Sequence, residues 1–334
     1  MKPTAVLGAG SWGTALAMHL ARNGHPVRLW ARDPALAADM RARHANAVYL
    51  PDVTFPDHLE PTDSLAEALA DAELVMCAVP SHGVRAVARA AAALLRPHVT
   101  VVSATKGLEA TTQLRVSEIL AQELHRSHPI VVLSGPSFAA EVARRLPTAV
   151  CVASLDLAAA TRVQEELRSG YLRLYASDDV VGVEIGGATK NVIAIAAGVV
   201  EGMALGHNAL AALITRGLAE MGRLAGALGG RRETLSGLTG LGDLVLTCTG
   251  SLSRNRHVGV ELARGRALDD IVGSMKMIAE GVRTTGAALA LGARVGVELP
   301  IAEQMAAVLE GRKEARAAVE DLMLRPQRAE GEGG

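Results

Sequence analysis

Lys190 and Asn191 lie inside an otherwise apolar stretch running from Val183 to Val200. Burying an unpaired ammonium costs several kcal/mol or drives off its proton, so a lysine there needs a partner or a functional cavity. Lysine can release its proton near neutral pH, as a general acid or base requires, whereas arginine holds its proton in any protein. Of the 34 cationic residues only five are Lys, the other 29 being Arg, so a lysine kept at this position points to proton transfer. The alternative is a stem that carries its charge to the surface. Further along, Gly240-Leu241-Gly242-Asp243-Leu244, then Thr247, then Ser253-Arg254-Asn255-Arg256 gather a carboxylate, a hydroxyl and a guanidinium cluster in one turn-and-helix region. The Asp could orient Lys190 or hold a substrate hydroxyl. Arg binds phosphate through two parallel hydrogen bonds and Asn and Ser can complete its oxygens, although Arg254 and Arg256 taken singly are also ordinary surface residues.

The first half carries a second kind of chemistry. Gly8-Ala9-Gly10-Ser11-Trp12-Gly13 follows an apolar strand and opens a helix. In such a loop the first Gly permits the turn, the second lets backbone approach a pyrophosphate, the third lets helix and strand pack closely, and the helix N-terminus attracts the anion. The end of the next strand, where a side chain meets the adenosine ribose, reads Trp30-Ala31-Arg32-Asp33. Arg32 suits the 2′-phosphate of NADP and Asp33 a 2′-hydroxyl, so NADP or NAD is expected; a surface ion pair is the alternative. Ser103-Ala104-Thr105-Lys106-Gly107 and Leu133-Ser134-Gly135-Pro136-Ser137-Phe138-Ala139 each leave a strand at its C-terminal end, where open parallel sheets bind ligands.

The elements that must position these residues alternate through the first half. Strands are expected at 4–8, 27–31, 73–79, 99–104, 130–134, 149–153 and 171–175, with helices at 13–22, 83–95, 114–124 and 158–167 between them. This alternation predicts an α/β fold, a doubly wound parallel sheet covered by helices on both faces. After Asp178 and Asp179, which can cap a helix, strand signals stop and helical stretches run to about Leu324. The 183–200 stretch is apolar nearly all round, which predicts a buried central helix. The expected division is a dinucleotide-binding domain at 1–177, a helical domain at 178–325 and a flexible tail at 326–334, in keeping with 334 residues.

Composition excludes other classes. Apolar residues make up 49%, and 34 basic against 35 acidic residues leave a net charge of -1, which fits neither a disordered chain nor a nucleic-acid binder. Cys77, Cys151 and Cys248 are odd in number and far apart, and no His, Cys and carboxylate cluster has ligand spacing, so neither disulfides nor a metal is expected. The chain runs from Met-Lys-Pro directly into a strand, and no run of 18 apolar residues lacks a charge or an amide, so a soluble, intracellular protein without membrane insertion is expected.

Gly8 to Gly13, Ala104-Thr105-Lys106-Gly107, Ser134 to Ala139, Gly186-Gly187-Ala188-Thr189-Lys190-Asn191-Val192-Ile193-Ala194, Leu213-Ile214-Thr215-Arg216-Gly217, and Gly240 to Cys248 with Ser253-Arg254-Asn255 follow one another along nearly the whole chain. Together they resemble the bacterial NAD(P)-dependent glycerol-3-phosphate dehydrogenases. The resemblance implies a Rossmann-type domain followed by an all-helical domain similar to the C-terminal domain of 6-phosphogluconate dehydrogenase. It implies interconversion of sn-glycerol 3-phosphate and dihydroxyacetone phosphate, in support of glycerophospholipid synthesis, by a cytoplasmic homodimer. By motif, Lys190 matches the proton acceptor, and Lys106, Gly135, Ser137, Asp243, Ser253, Arg254 and Asn255 match substrate contacts. Ser11, Trp12, Arg32, Ala139, Ile278 and Glu280 match cofactor contacts beside Gly8, Gly10 and Gly13, with Lys106 and Arg254 shared. Thr189 stands where the family usually has Leu or Val. Two rivals remain: another dehydrogenase of this architecture acting on a carboxylate-bearing substrate, and a dinucleotide sensor without turnover.

Overall fold

The computed structural model describes residues 2–275 and 277–327, so the expected tail lies, from residue 328 on, outside the described residues. The chain forms two compact units. One comprises the chain up to Lys106 with Val116–Val180, the other Gly107–Arg115 with the chain from Val181. The excursion Gly107–Arg115 has no mark in the strand and helix alternation; its Leu108 is buried in the helical core and its Arg115 pairs at 2.9 Å with Glu184, one of the charges interrupting the apolar stretch.

Among the described residues the first unit has ten strands: β1 (Thr4–Leu7), β2 (Val27–Trp30), β3 (Ala45–Asn46), β4 (Leu50–Thr54), β5 (Leu59–Thr62), β6 (Leu74–Cys77), β7 (Thr100–Ser103), β8 (Ile130–Ser134), β9 (Thr148–Ala153) and β10 (Leu172–Ser177). Eight form one sheet in the order β5-β2-β1-β6-β7-β8-β9-β10, while β3 and β4 pair as a separate hairpin. The central strands β1 and β6 are buried at every residue, which is why they read as unbroken apolar runs rather than alternating ones. From β1 the chain winds outward through β2 to β5 and returns on the other side as β6, so the C-terminal ends of β1 and β6 flank the switch point at which such sheets bind ligands.

The sheet is not parallel throughout, contrary to expectation. β9 runs antiparallel to β8, and β10 follows β9. The β8–β9 connection holds only the helix Ala139–Ala143, five residues and about 7.5 Å long, against a five-residue strand of about 16 Å. A helix that short cannot carry the chain back along the sheet, so the next strand reverses.

The second unit is helical. Its centre is the helix Val180–Gly202, buried around its whole circumference as expected, with Ile185, Val192, Ile195 and Val199 in the core. It is long and apolar enough by length and composition to cross a membrane, but 89% of that stretch is buried inside the protein. Around it lie the helices Gly206–Ala227, Asp243–Thr249, Arg254–Ala263, Glu280–Arg294, Pro300–Leu309 and Ala315–Met323. A wide π-type turn, Leu238–Gly242, leads into the helix that starts at Asp243.

Candidate active site

In the first unit the glycine loop joins β1 to the helix Ser11–Arg22. Gly8 has φ 108°, where side chains are strained, and a Cβ there would lie 2.9 Å from the Ala78 carbonyl oxygen. A Cβ on Gly13 would lie 1.8 Å from the Gly8 carbonyl oxygen, forcing the helix off the strand. Gly10 differs: its Cβ would meet nothing within 4 Å. Protein packing therefore does not require glycine at position 10, and the open space before it fits a dinucleotide pyrophosphate approaching the backbone. Trp12 adds a buried indole Nε1 with no hydrogen-bond partner among the described residues. Ser11 Oγ donates to the Tyr49 carbonyl at 2.6 Å. At the end of β2, Arg32 is exposed, while Asp33 caps the helix Pro34–Arg43, its Oδ1 accepting from the Ala35 N–H at 2.9 Å.

At the ends of β7 and β8 three expected residues come together. Lys106 Nζ donates to the Gly135 carbonyl at 2.8 Å and to Ser137 Oγ at 3.4 Å, and Ser137 Oγ donates to the same carbonyl at 2.9 Å. Thr105 holds the loop by donating to the Val79 carbonyl at 2.7 Å. Ala139 begins the short helix beyond.

In the second unit Lys190 Nζ donates to Asp243 Oδ1 at 2.6 Å and to Thr247 Oγ1 at 2.7 Å. The lysine and aspartate side chains are 7% and 1% exposed, so the lysine stays inside rather than reaching the surface. The carboxylate supplies the counter-charge a buried ammonium needs, and Thr247 Oγ1 in turn donates to the Asp243 backbone carbonyl at 2.6 Å, fixing the acceptor. Cys248, next to this pair in sequence, is buried, and burial pushes its thiol up to about 12, leaving it an inert packing residue. Thr189 bonds to the Ile185 carbonyl one turn back and takes no part.

Ser253 caps the helix Arg254–Ala263 by accepting from the Arg256 N–H at 3.2 Å. Arg254 is exposed at that helix's first position, within electrostatic reach of Glu280, which opens the helix Glu280–Arg294. Arg256 belongs elsewhere: its guanidinium pairs with Glu201 and the Gly250 carbonyl. The Asn255 side chain is fully engaged inside the protein. Its Nδ2 donates to Asn191 Oδ1 at 2.9 Å and its Oδ1 accepts from the Gly281 N–H at 2.9 Å. A Cβ at Gly281 would lie 2.6 Å from the Asn191 carbonyl oxygen, so glycine is required where these helices meet. Asn191 thus joins the site as a bridge, a role that its place in an apolar helix signalled only as a need for a partner. Ile278 is 37% exposed just before Glu280.

A switch-point glycine loop in a nucleotide-binding sheet, with a helical unit holding a buried Lys–Asp–Thr cluster, defines a nucleotide-dependent oxidoreductase of two units. Residues 3–160 match the N-terminal family model of NAD-dependent glycerol-3-phosphate dehydrogenase, and residues 179–320 its C-terminal model. The chain is 54% identical over 99% of its length to the whole of a glycerol-3-phosphate dehydrogenase (NAD(P)+) of Acidobacterium capsulatum. The crystal structure of a glycerol-3-phosphate dehydrogenase from Coxiella burnetii superposes with a TM-score of 0.94 at 41% identity, covering 97% of this chain and 99% of that one. That of a yeast glycerol-3-phosphate dehydrogenase from Saccharomyces cerevisiae has a TM-score of 0.81 at 26% identity, covering 96% and 98%. The chain belongs to the NAD-dependent glycerol-3-phosphate dehydrogenase family.

Proposed function

We propose that this protein interconverts sn-glycerol 3-phosphate and dihydroxyacetone phosphate with NADP(H) or NAD(H), a dinucleotide-binding domain (1–177) and a helical domain (178–325) dividing the work, and Lys190 acting as general acid and base. The observation that carries the proposal is Lys190 held between Asp243 and Thr247 in the buried helix of a chain whose two halves both match this family. When bound, the nicotinamide ring supplies or accepts the hydride at its C4. In ketone reduction Lys190 gives a proton from Nζ to the C2 carbonyl oxygen; in the reverse direction it takes the proton of the C2 hydroxyl. Asp243 and Thr247 fix Nζ and keep it charged for the first of these steps. Lys106 offers a second positive charge to polarise the ketone oxygen.

Arg254 and the first-turn N–H groups of its helix suit the substrate phosphate. Ser253 and Asn255 contribute chiefly through position, since their side chains cap and brace that helix. Gly8, Gly10, Ser11, Trp12 and Gly13 suit the pyrophosphate, and Arg32, Ala139, Ile278 and Glu280 the remainder of the cofactor. The engagement of Asp33 as a helix cap supports Arg32, and hence NADP, at the ribose. A homodimer in the cytoplasm that supplies glycerol 3-phosphate for lipid synthesis completes the proposal, supported by the family resemblance. The test is a spectrophotometric assay with dihydroxyacetone phosphate, NADPH and NADH. Turnover with at least one cofactor is expected; no turnover, or turnover confined to a carboxylate-bearing hydroxy or keto acid, overturns the assignment. Light scattering on the eluted protein tests the dimer.

A further inference from the structure

Between β2 and β5 the chain makes a hairpin, β3–β4, that contributes nothing to the main sheet. Its Asn46 is 0% exposed and uses every hydrogen-bonding group of its carboxamide. Nδ2 donates to the Ala9 carbonyl at 2.9 Å and to Thr14 Oγ1 at 2.9 Å, while Oδ1 accepts from the Tyr49 N–H at 3.1 Å. Thr14, also 0% exposed, donates in turn toward the Ala9 carbonyl at 3.4 Å. The hairpin is tied a second time where Ser11 Oγ donates to the Tyr49 carbonyl. Leu50 already seats the hairpin in the apolar core, and both polar ties end in the glycine loop.

We propose that Asn46 is a positioning residue for the dinucleotide, aiming the backbone of the glycine loop at the pyrophosphate; the proposal rests on the dinucleotide assignment above. The Ala9–Gly10 peptide is planar and trans, so its C=O and N–H point in opposite directions. Asn46 and Thr14 hold the Ala9 carbonyl oxygen inward, and the Gly10 N–H is thereby turned away from them. Gly10 is also the loop glycine with open space before it. Without the clamp the Ala9–Gly10 peptide can rotate, because glycine imposes little restriction of its own. Binding the pyrophosphate must then order it again. The cost falls on cofactor affinity and leaves proton transfer in the second unit untouched.

The experiment is a fluorescence titration with NADPH and NADH, paired with steady-state kinetics. Asn46→Ala should weaken the preferred cofactor by about tenfold, the scale of one or two lost hydrogen bonds, with kcat at saturating cofactor changed less than about threefold and the KM for dihydroxyacetone phosphate unmoved. Thr14→Val, which keeps the shape and removes the hydroxyl, should weaken cofactor binding in the same sense, and Thr14→Ser should restore it. The Thr14 pair decides the matter if Asn46→Ala does not fold. Wild-type affinity in a folded Asn46→Ala protein overturns the proposal, as does a Thr14→Ser protein no better than Thr14→Val. Wild-type protein that binds neither cofactor overturns the dinucleotide assignment, and this proposal with it.

Discussion

Lys190 and Asp243, 53 residues apart in the chain, meet at 2.6 Å inside the helical unit, and neither side chain is as much as a tenth exposed. Removing one member of such a pair strands the other charge, at a cost of about 3 to 5 kcal/mol. Asp243→Asn should therefore lower the thermal midpoint visibly. In the same variant, ketone reduction, which in the proposed mechanism needs the proton on Lys190, should fall away at a lower pH than in wild type, because the carboxylate no longer favours the ammonium. A pH–rate profile that stays in place would remove Asp243 from the proton-transfer assignment.

Truncating the proposed acid itself is more severe. General acid–base groups contribute roughly 10² to 10⁴ in rate, so Lys190→Ala should lower kcat at least about 100-fold while NADPH binding persists. Lys190→Arg should fail as well, since a guanidinium does not give up its proton. Near-normal turnover in either variant would defeat the assignment.

Arg254 and Asn255 are neighbours in sequence with different surroundings, the first exposed and the second buried. Arg254→Ala should raise the KM for dihydroxyacetone phosphate by the equivalent of a charge-assisted hydrogen bond, about 1.5 to 3 kcal/mol, and leave unphosphorylated dihydroxyacetone much less affected. Asn255→Ala removes the bridge between Asn191 and Gly281, so it should reduce stability along with substrate affinity. Equal losses on both ketones in Arg254→Ala would rule out the phosphate clamp.

These contrasts also mark what the sequence could reveal. Lys190 was legible because an ammonium in an apolar helix demands an explanation, and the Gly8 to Gly13 loop because Gly8 and Gly13 each answer a separate steric need. Strands β1, β2 and β6 to β10 were legible as apolar runs. β5 was not: Leu59-Glu60-Pro61-Thr62 lacks that pattern, and its Pro is tolerated because the strand lies at the sheet edge. Asn46 was hidden for a related reason, in a two-residue strand too short for periodicity. Arg256 shares its motif with Arg254 but faces Glu201, a distinction of helix face that residue type does not encode.

The proposed cofactor choice turns on Arg32. It is exposed at the end of β2, and the neighbouring Asp33 carboxylate accepts from the Ala35 N–H instead of presenting itself to the ribose. A guanidinium gains a charge-assisted contact only when the 2′-phosphate is present. Arg32→Ala should weaken NADPH by roughly 1 to 3 kcal/mol and NADH much less. A parallel fall in kcat/KM for both cofactors would make Arg32 a general electrostatic residue and direct attention to Glu280.

Two buried groups away from the proposed chemistry set opposite responses to acid. His19 is 0% exposed in the first unit, its Nε2 2.6 Å from the Leu167 carbonyl and its Nδ1 2.8 Å from the Tyr171 hydroxyl. The carbonyl can only accept, so Nε2 carries the hydrogen and Nδ1 accepts from Tyr171. Burial, with smaller contributions from the charges of Arg22 and His25, lowers this imidazole from 6.5 to about 4. Between those values the unfolded chain binds a proton that the native protein does not. Stability from this site is therefore complete above pH 6.5 and is lost as pH falls toward 4, by about 3 kcal/mol in all. Glu220 in the second unit works the other way. Its carboxylate accepts from the Ile301 and Ala302 N–H groups, yet burial outweighs them and raises it from 4.5 to about 7. The native protein then binds the extra proton, and stability rises as pH falls from 7 to 4.5. Whole-protein unfolding should consequently vary little across pH 7 to 5, while single variants separate the two sites. Glu220→Gln should expose the acid loss due to His19, and His19→Gln the acid gain due to Glu220. Urea unfolding of the whole protein followed by the fluorescence of Trp12 and Trp30 checks the first of these. A Glu220→Gln protein whose fluorescence midpoint stays flat from pH 7 to pH 5 would show that His19 takes up its proton equally in the folded and unfolded chain.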